Sequence, residues 1–334
     1  MADTTAGQTV AAQILADVKL DIYQGNFDPS LAKYRRKPVK KVMAIYDLWC
    51  EYVNYRRETI KRSTLHYYEE IIGNRLRDCP QSLWKELEVR AWLLDNMSQD
   101  YAARILKCLS WAVTWGLKHK RIDLEENLYI QMAKETRPKT QTPPPDAFSI
   151  EEKEGILNSF LTSRRHDHYY PFVYFLFLTG CRPSEAIGLQ WGDISTDFKF
   201  VNFTGSIVQI KSETVRMSKS KTNRIRSFPI NPELRDLIEA CGNSFGDPWK
   251  LVFPSQDDPT APINYRNFSK NAWAKTVDPI VGRNTTPYSC RDTFITEQIA
   301  LGTPVAIVAR WVDNSPQIID QRYFDISAVS FMPK

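Results

Sequence analysis

The chain has no CxxC pair, and none of its six cysteines has a histidine partner at ligand spacing. That argues against a zinc site and against a disulfide framework. Cys50, Cys79, Cys108, Cys181, Cys241 and Cys290 are expected as reduced, mostly buried thiols of a cytosolic protein. The opening MADTTAGQTV carries neither a charged n-region nor an apolar h-region, so no leader is expected. No apolar run reaches the length of a membrane span. A soluble cytoplasmic protein with no membrane partner is the expectation. Charge of one sign is not in large excess. A net charge of +5 permits a nucleic-acid partner without requiring one, so local clusters say more than the total. What is present excludes wholesale disorder, because 43% hydrophobic residues and 12% aromatics supply real cores. A length of 334 residues suits two or three domains.

The N-terminal part shows no strand pattern. Residues from about Gln8 to Lys33 read as a short helix with Val10, Ile14, Leu15, Val18 and Ile22 on one face, with a turn at Gly25-Asn26-Phe27-Asp28-Pro29. The densest basic cluster follows, from Lys33 to Lys41. Arg35, Arg36, Lys37, Lys40 and Lys41 make either a solvated linker or a strap along a phosphate backbone. From about Val42 to Lys134 the pattern is helical throughout, which predicts a small bundle. Its clearest helix is Tyr101 to Leu117, with Ala102, Ile105, Leu106, Leu109, Ala112 and Val113 at core spacing. The exposed Arg56, Arg57, Lys61 and Arg62 face either nucleic acid or water. Lys134 to Pro145, KETRPKTQTPPP, is a proline-rich hinge. The expected division is an N-terminal segment at 1–41, a helical domain at 42–134, a linker at 135–146 and a second domain at 147–334.

The second domain reads as α+β. Ser149 caps a helix whose first turn carries Glu151 and Glu152. The run Pro171 to Leu178 is apolar on nearly all sides and is expected as a buried helix ending at Thr179-Gly180, with Arg182 directly after it. Strands are expected at Phe200–Phe203, Ile207–Ile210 and Arg226–Ile230, giving a small antiparallel sheet. Ser218 to Arg224 forms a polar basic turn between the last two. The stretch Thr286 to Tyr323 reads as two amphipathic helices broken at Gly302-Thr303-Pro304. It begins near Arg291 and ends on Tyr323, so it is either a helical hairpin with solvated ends or an anion site beside a nucleophile. Arg182, between a buried helix and the next N-terminus, is a second candidate anion ligand. Lys221, on the turn between strands, is a third.

Four motifs in this order resemble the tyrosine recombinases, the phage-type integrases. The first arginine box is Thr179-Gly180-Cys181-Arg182-Pro183-Ser184-Glu185-Ala186. Ser220-Lys221-Thr222 with Arg226-Ser227-Phe228-Pro229-Ile230 matches the lysine hairpin, and Tyr288-Ser289-Cys290-Arg291-Asp292-Thr293-Phe294 the second arginine box. Trp311 to Tyr323 matches the nucleophile segment. The resemblance covers about Ala147 to Tyr323, and more loosely the helical bundle, which is similar to the family's core-binding, SAM-like domain. The first forty or so residues look like a reduced arm-binding segment.

The resemblance implies a recombinase that integrates or excises a mobile element, assembling as four protomers on double-stranded DNA, with an accessory directionality factor as a further partner. Tyr323 would attack a phosphodiester to form a 3′-phosphotyrosyl bond, needing no cofactor, ATP or metal. Arg182 and Arg291 would clamp the non-bridging oxygens. Lys221 would protonate the leaving 5′-oxygen, with Lys219 as the fallback and Arg224 a further DNA contact. Glu185 would orient Arg182. The sequence departs from the family where histidine is usual: Tyr288 stands three residues before the second arginine, Asp292 just after it, and Asn314 at the later histidine-or-tryptophan position. The four histidines lie elsewhere. Tyrosine at position 288 is similar to the excision recombinases of cyanobacteria. The competing reading is a DNA-binding protein of the same fold that has lost catalysis. The apolar tail, with Ile326, Val329, Phe331 and Met332, docks either on a neighbouring subunit or on its own domain.

Overall fold

A computed structural model describes residues 5–34, 43–138, 144–210, 213–218, 225–242 and 246–323. They divide into two compact units, Met1–Pro138 and Lys139–Lys334. The described elements of the first unit are helices: α1 (Thr5–Tyr23), α2 (Ile45–Arg56), α3 (Arg62–His66), α4 (Gly73–Asp78), α5 (Glu86–Asn96), α6 (Gln99–Lys118) and α7 (Tyr129–Thr136). A π-turn at Tyr67–Ile72 joins α3 to α4. The core forms because α6 repeats small and aliphatic residues every three or four positions. Ala102, Ile105, Leu106, Leu109, Ala112 and Val113 are all buried, together with Leu48 and Trp49 of α2. The Trp49 indole N–H, which burial would otherwise strand, donates to the Tyr68 carbonyl at 3.0 Å. Of the apolar face expected on α1, Leu15 and Ile22 are exposed, while Ile14 and Val18 are half-buried.

The second unit begins its helices at α8 (Ile150–Leu161), where Ser149 and Glu152 form a reciprocal capping box. Next come α9 (Tyr170–Thr179) and the short α10 (Pro183–Ile187). Phe172, Val173, Phe175, Leu176 and Phe177 of α9 are buried at the centre of the core. The strands form two antiparallel ladders. β1 (Phe200–Phe203) pairs with β4 (Arg226–Pro229), and β2 (Gly205–Ile210) pairs with β3 (Glu213–Ser218). The sequence reading missed β3, although Val215 and Met217 alternate there with Thr214, Arg216 and Ser218. α11 (Pro232–Ala240), α12 (Tyr265–Asn267) and α13 (Ala274–Val281) complete the middle of the unit. The terminal stretch folds as three helices where two were expected: α14 (Ser289–Ala300), α15 (Val305–Val312) and α16 (Pro316–Tyr323). The second break comes at Asp313, which leaves α15 in the left-handed conformation at φ 54°. Among the described residues no helix is long and apolar enough to cross a membrane.

Candidate active site

Arg182 sits at the N-terminus of α10, just past the end of α9. Gly180 makes this turn at φ +57°, and a Cβ there would lie 2.4 Å from the Phe294 ring. Glycine is therefore required both by the backbone and by the close approach of α14. The Glu185 carboxylate accepts from the Arg182 backbone N–H at 2.9 Å and from its Nη1 at 3.1 Å. Asp313 holds the other side: its Oδ2 accepts from Nη1 at 3.1 Å and its backbone oxygen from Nη2 at 2.9 Å. Burial opposes the charge on Arg182, but Glu185 and Asp313 outweigh it and hold the pKa above the ordinary value.

Glu185 also has a partner that sequence reasoning missed. Arg226 of β4 donates to both its oxygens, at 3.0 and 2.8 Å, and stacks 4.0 Å over the Phe203 ring. The bidentate fork fixes the carboxylate that in turn fixes Arg182. Arg291, on the first turn of α14, is fully buried. Its Nη1 donates to the Gly180 carbonyl at 2.9 Å and its Nη2 to the Val312 carbonyl. Those oxygens close the C-terminal ends of α9 and α15, where unpaired carbonyls and the helix dipole both favour a cation. Burial lowers the pKa of Arg291, and its Nε has no hydrogen-bond partner among the described residues.

Tyr288 precedes α14 and is 37% exposed, with its ring centroid 5.8 Å from the Arg291 guanidinium carbon. Tyr288 and Arg182 line one cavity of about 340 Å³ together with Gln209, Tyr265 and Arg266. Asn314 follows Asp313 on the turn that holds both arginines, half-buried, with its N–H bonded to the Ala309 carbonyl at 3.0 Å. Tyr323 ends α16 and is only 7% exposed. Its hydroxyl donates to Asp292 Oδ1 at 2.6 Å, one residue beyond Arg291 on α14. Burial first, and then the Asp292 carboxylate, push its pKa up, while Arg322 pulls the other way.

The fold thus gathers Arg182, Glu185, Tyr288, Arg291, Asn314 and Tyr323 in one unit, and adds Arg226, Asp292 and Asp313 to them. Lys219, Lys221 and Arg224 lie outside the described residues, as do Arg35, Arg36, Lys37, Lys40, Lys41 and the tail from Phe324. In the helical unit Arg56 donates to the Tyr52 hydroxyl at 3.1 Å, and Arg57 pairs with Glu69 at 2.6 Å. Lys61 and Arg62 are exposed.

Comparison with known proteins gives a consistent picture. A family model described as the phage integrase family matches residues 151–328. The tyrosine recombinase XerD of Chlamydia muridarum is 22% identical over 199 residues, covering 57% of this chain and 60% of that protein. XerD of Halalkalibacterium halodurans is 25% identical over 224 residues, covering 63% of this chain and 66% of that protein. The chain therefore spans less than two thirds of the length of these relatives. Among solved structures, the Tn1549 transposon integrase in complex with a circular intermediate DNA superposes with a TM-score of 0.72 at 16% identity, over 85% of this chain and 96% of that one. A lambda integrase dimer bound to a COC′ core site gives 0.63 at 15% identity, over 87% and 99%. At these identities the likeness is one of fold.

Proposed function

The chain belongs to the phage integrase family, and on that premise we propose that it is a site-specific DNA recombinase acting through Tyr323. The observation that carries the reading is convergence: Arg182 and Arg291 both bond the turn at Val312-Asp313, and Tyr323 bonds the residue next to Arg291. A binding module has no need of that tyrosine. In the reaction the Tyr323 phenol loses its proton to water as its oxygen attacks a DNA phosphorus and the P–O5′ bond breaks, leaving a 3′-phosphotyrosyl link. The free 5′-hydroxyl later reverses the step on the exchanged strand, so bond energy is conserved without ATP. Arg182 and Arg291 stabilise the charge on the non-bridging oxygens. Tyr288 and Asn314 donate to the phosphate where imidazoles are usual. Lys221 supplies the proton to the leaving oxygen, with Lys219 as its alternate.

Arg182 already reaches solvent, its side chain 27% exposed. Arg291 does not, so its contact with phosphate requires the groups that cover it to move. Duplex DNA as partner is supported by the DNA-bound state of both structural neighbours. Arg56, Arg57, Lys61 and Arg62, with the basic segment 35–41 and Arg224, neutralise backbone phosphates. Four protomers bring two sites together. Domain limits of 1–41, 42–134, 135–146 and 147–334 serve this arrangement, with the proline-rich linker as the hinge.

Covalent trapping on nicked duplexes of randomised sequence tests the reading, with Tyr323→Phe as the control. A protein–DNA adduct on a denaturing gel, absent in Tyr323→Phe, is expected, and sequencing the trapped strand reports the site. Salt-sensitive DNA binding with no adduct, in the presence of intact folded protein, replaces this reading with a catalytically silent binder.

A further inference from the structure

Tyr323 is bonded to an anion, although its substrate is an anion. The Asp292 carboxylate that accepts the phenol at 2.6 Å is itself 3% exposed. Its other oxygen accepts from Arg322 Nη2 at 3.3 Å and from the Asp146 backbone N–H at 3.2 Å. Asp146 is tied down in turn, its side chain accepting from Ser289 Oγ at 2.7 Å and from Arg283 Nε at 3.0 Å. The carboxylate is thus anchored by groups other than the tyrosine.

We propose that Asp292 is a positioning residue that holds the nucleophile withdrawn, and that DNA must pull Tyr323 off this carboxylate before cleavage. The proposal rests on the recombinase reading of Tyr323. A phosphodiester brought to the Tyr323 oxygen would meet the Asp292 charge within the same small space, and like charges repel most where water is excluded. The latched geometry and the attacking geometry are therefore mutually exclusive. Because the Asp146 backbone N–H, which lies outside α16, also holds the carboxylate, the tyrosine is the partner that leaves. The latch also keeps the phenol protonated: burial and the adjacent carboxylate both disfavour the phenolate. Arg322 works against the latch from both ends, occupying Asp292 and favouring the phenolate through its charge.

The charges make opposite predictions for two neighbouring variants, which a merely structural role would not. Full-length protein is labelled at the tyrosine ring carbon bearing oxygen, and Tyr323 is assigned by its loss in Tyr323→Phe. Asp292→Asn, of the same shape, lowers the pH at which Tyr323 ionises; Arg322→Gln raises it. On a nicked duplex in single turnover, Asp292→Asn accelerates adduct formation by on the order of tenfold, the worth of one charge-assisted hydrogen bond. Arg322→Gln slows it. General loosening of α16 would move both titrations downward together and overturns the proposal, as do unchanged titrations. Loss of adduct in Asp292→Asn with the titration lowered also overturns it, by making Asp292 a group the attack requires. If the wild type forms no adduct, the recombinase reading fails instead, while the titration still reports whether the latch exists.

Discussion

The two units bury different chemistry. In the helical unit the buried polar side chains among the described residues are Ser110 and Thr136. Both are satisfied locally or by one neighbour: Ser110 donates to the Lys107 carbonyl at 2.7 Å, and Thr136 accepts from Arg90 at 2.9 Å. The second unit buries Glu185, Asp193, Arg226, Arg291 and Asp292. Removing charges from water costs several kcal/mol per ion, which attraction between partners offsets only in part (roughly, by continuum reasoning). A unit proposed to meet DNA only through exposed cations has no reason to carry that cost. The difference is what the proposed reaction would ask of the second unit, since buried charges cluster at functional sites at some expense of stability.

Breaking the Glu185–Arg226 pair is the strongest challenge to that contrast. Glu185→Ala leaves the Arg226 guanidinium buried without its carboxylate, and we expect a loss of about 3–5 kcal/mol in urea unfolding. Ser110→Ala in the helical unit is the matched control, with a loss of about 1 kcal/mol or less. Equal losses would show that buried charge is not what separates the units. Replacing the pair together, Glu185→Leu with Arg226→Met, recovers much of the stability because no charge is stranded. It should leave adduct formation defective, since Arg182 then lacks its orienting carboxylate.

A smaller effect tests backbone rather than charge. Gly180→Ala meets both a left-handed φ and the Phe294 ring, and we expect about 1–3 kcal/mol of destabilisation by thermal melting. Its carbonyl is a partner of Arg291, so the variant should lose trapping out of proportion to its lost stability. A variant that melts normally and traps normally would mean that the α9 end does not position Arg291.

What the sequence disclosed follows how far each contact reaches along the chain. Arg182 and Glu185 are three residues apart on one short helix, so their pairing was legible as a local motif. Arg226 lies 41 positions from Glu185, Asp313 lies 131 from Arg182, and Asp292 lies 31 from Tyr323. No periodicity relates those pairs; only the packed core brings them together. Asp313 leaves α15 at φ 54°, and the run Asp313-Asn314-Ser315-Pro316 is a turn signal that the reading of two helices passed over. The buried helix α9 and the Ser149 cap were legible, since both rest on short-range patterns.

The smallest test concerns charge at the rim of the same unit. Arg283 bonds Glu152 at 2.6 Å and Asp146 at 3.0 Å, but the Arg283–Glu152 pair is 37% and 24% exposed at its side chains. The Arg283 hydrogen bond, followed by the Ser149 backbone bond, lowers the Glu152 pKa below the usual range against the opposing effect of burial. A carboxyl depressed in the folded state stabilises the protein above its unfolded pKa of about 4.3, and that contribution disappears as pH falls through the folded value. Arg283→Gln should therefore cost up to about 1 kcal/mol near neutral pH and progressively less in acid. Added salt should narrow the gap as well, because water reaches the pair. The Glu185 variants should respond far less to salt, since that pair is sealed from solvent. If both sites fade equally in salt, burial is not protecting the Glu185–Arg226 bond, and the contrast between the rim and the interior of this unit fails.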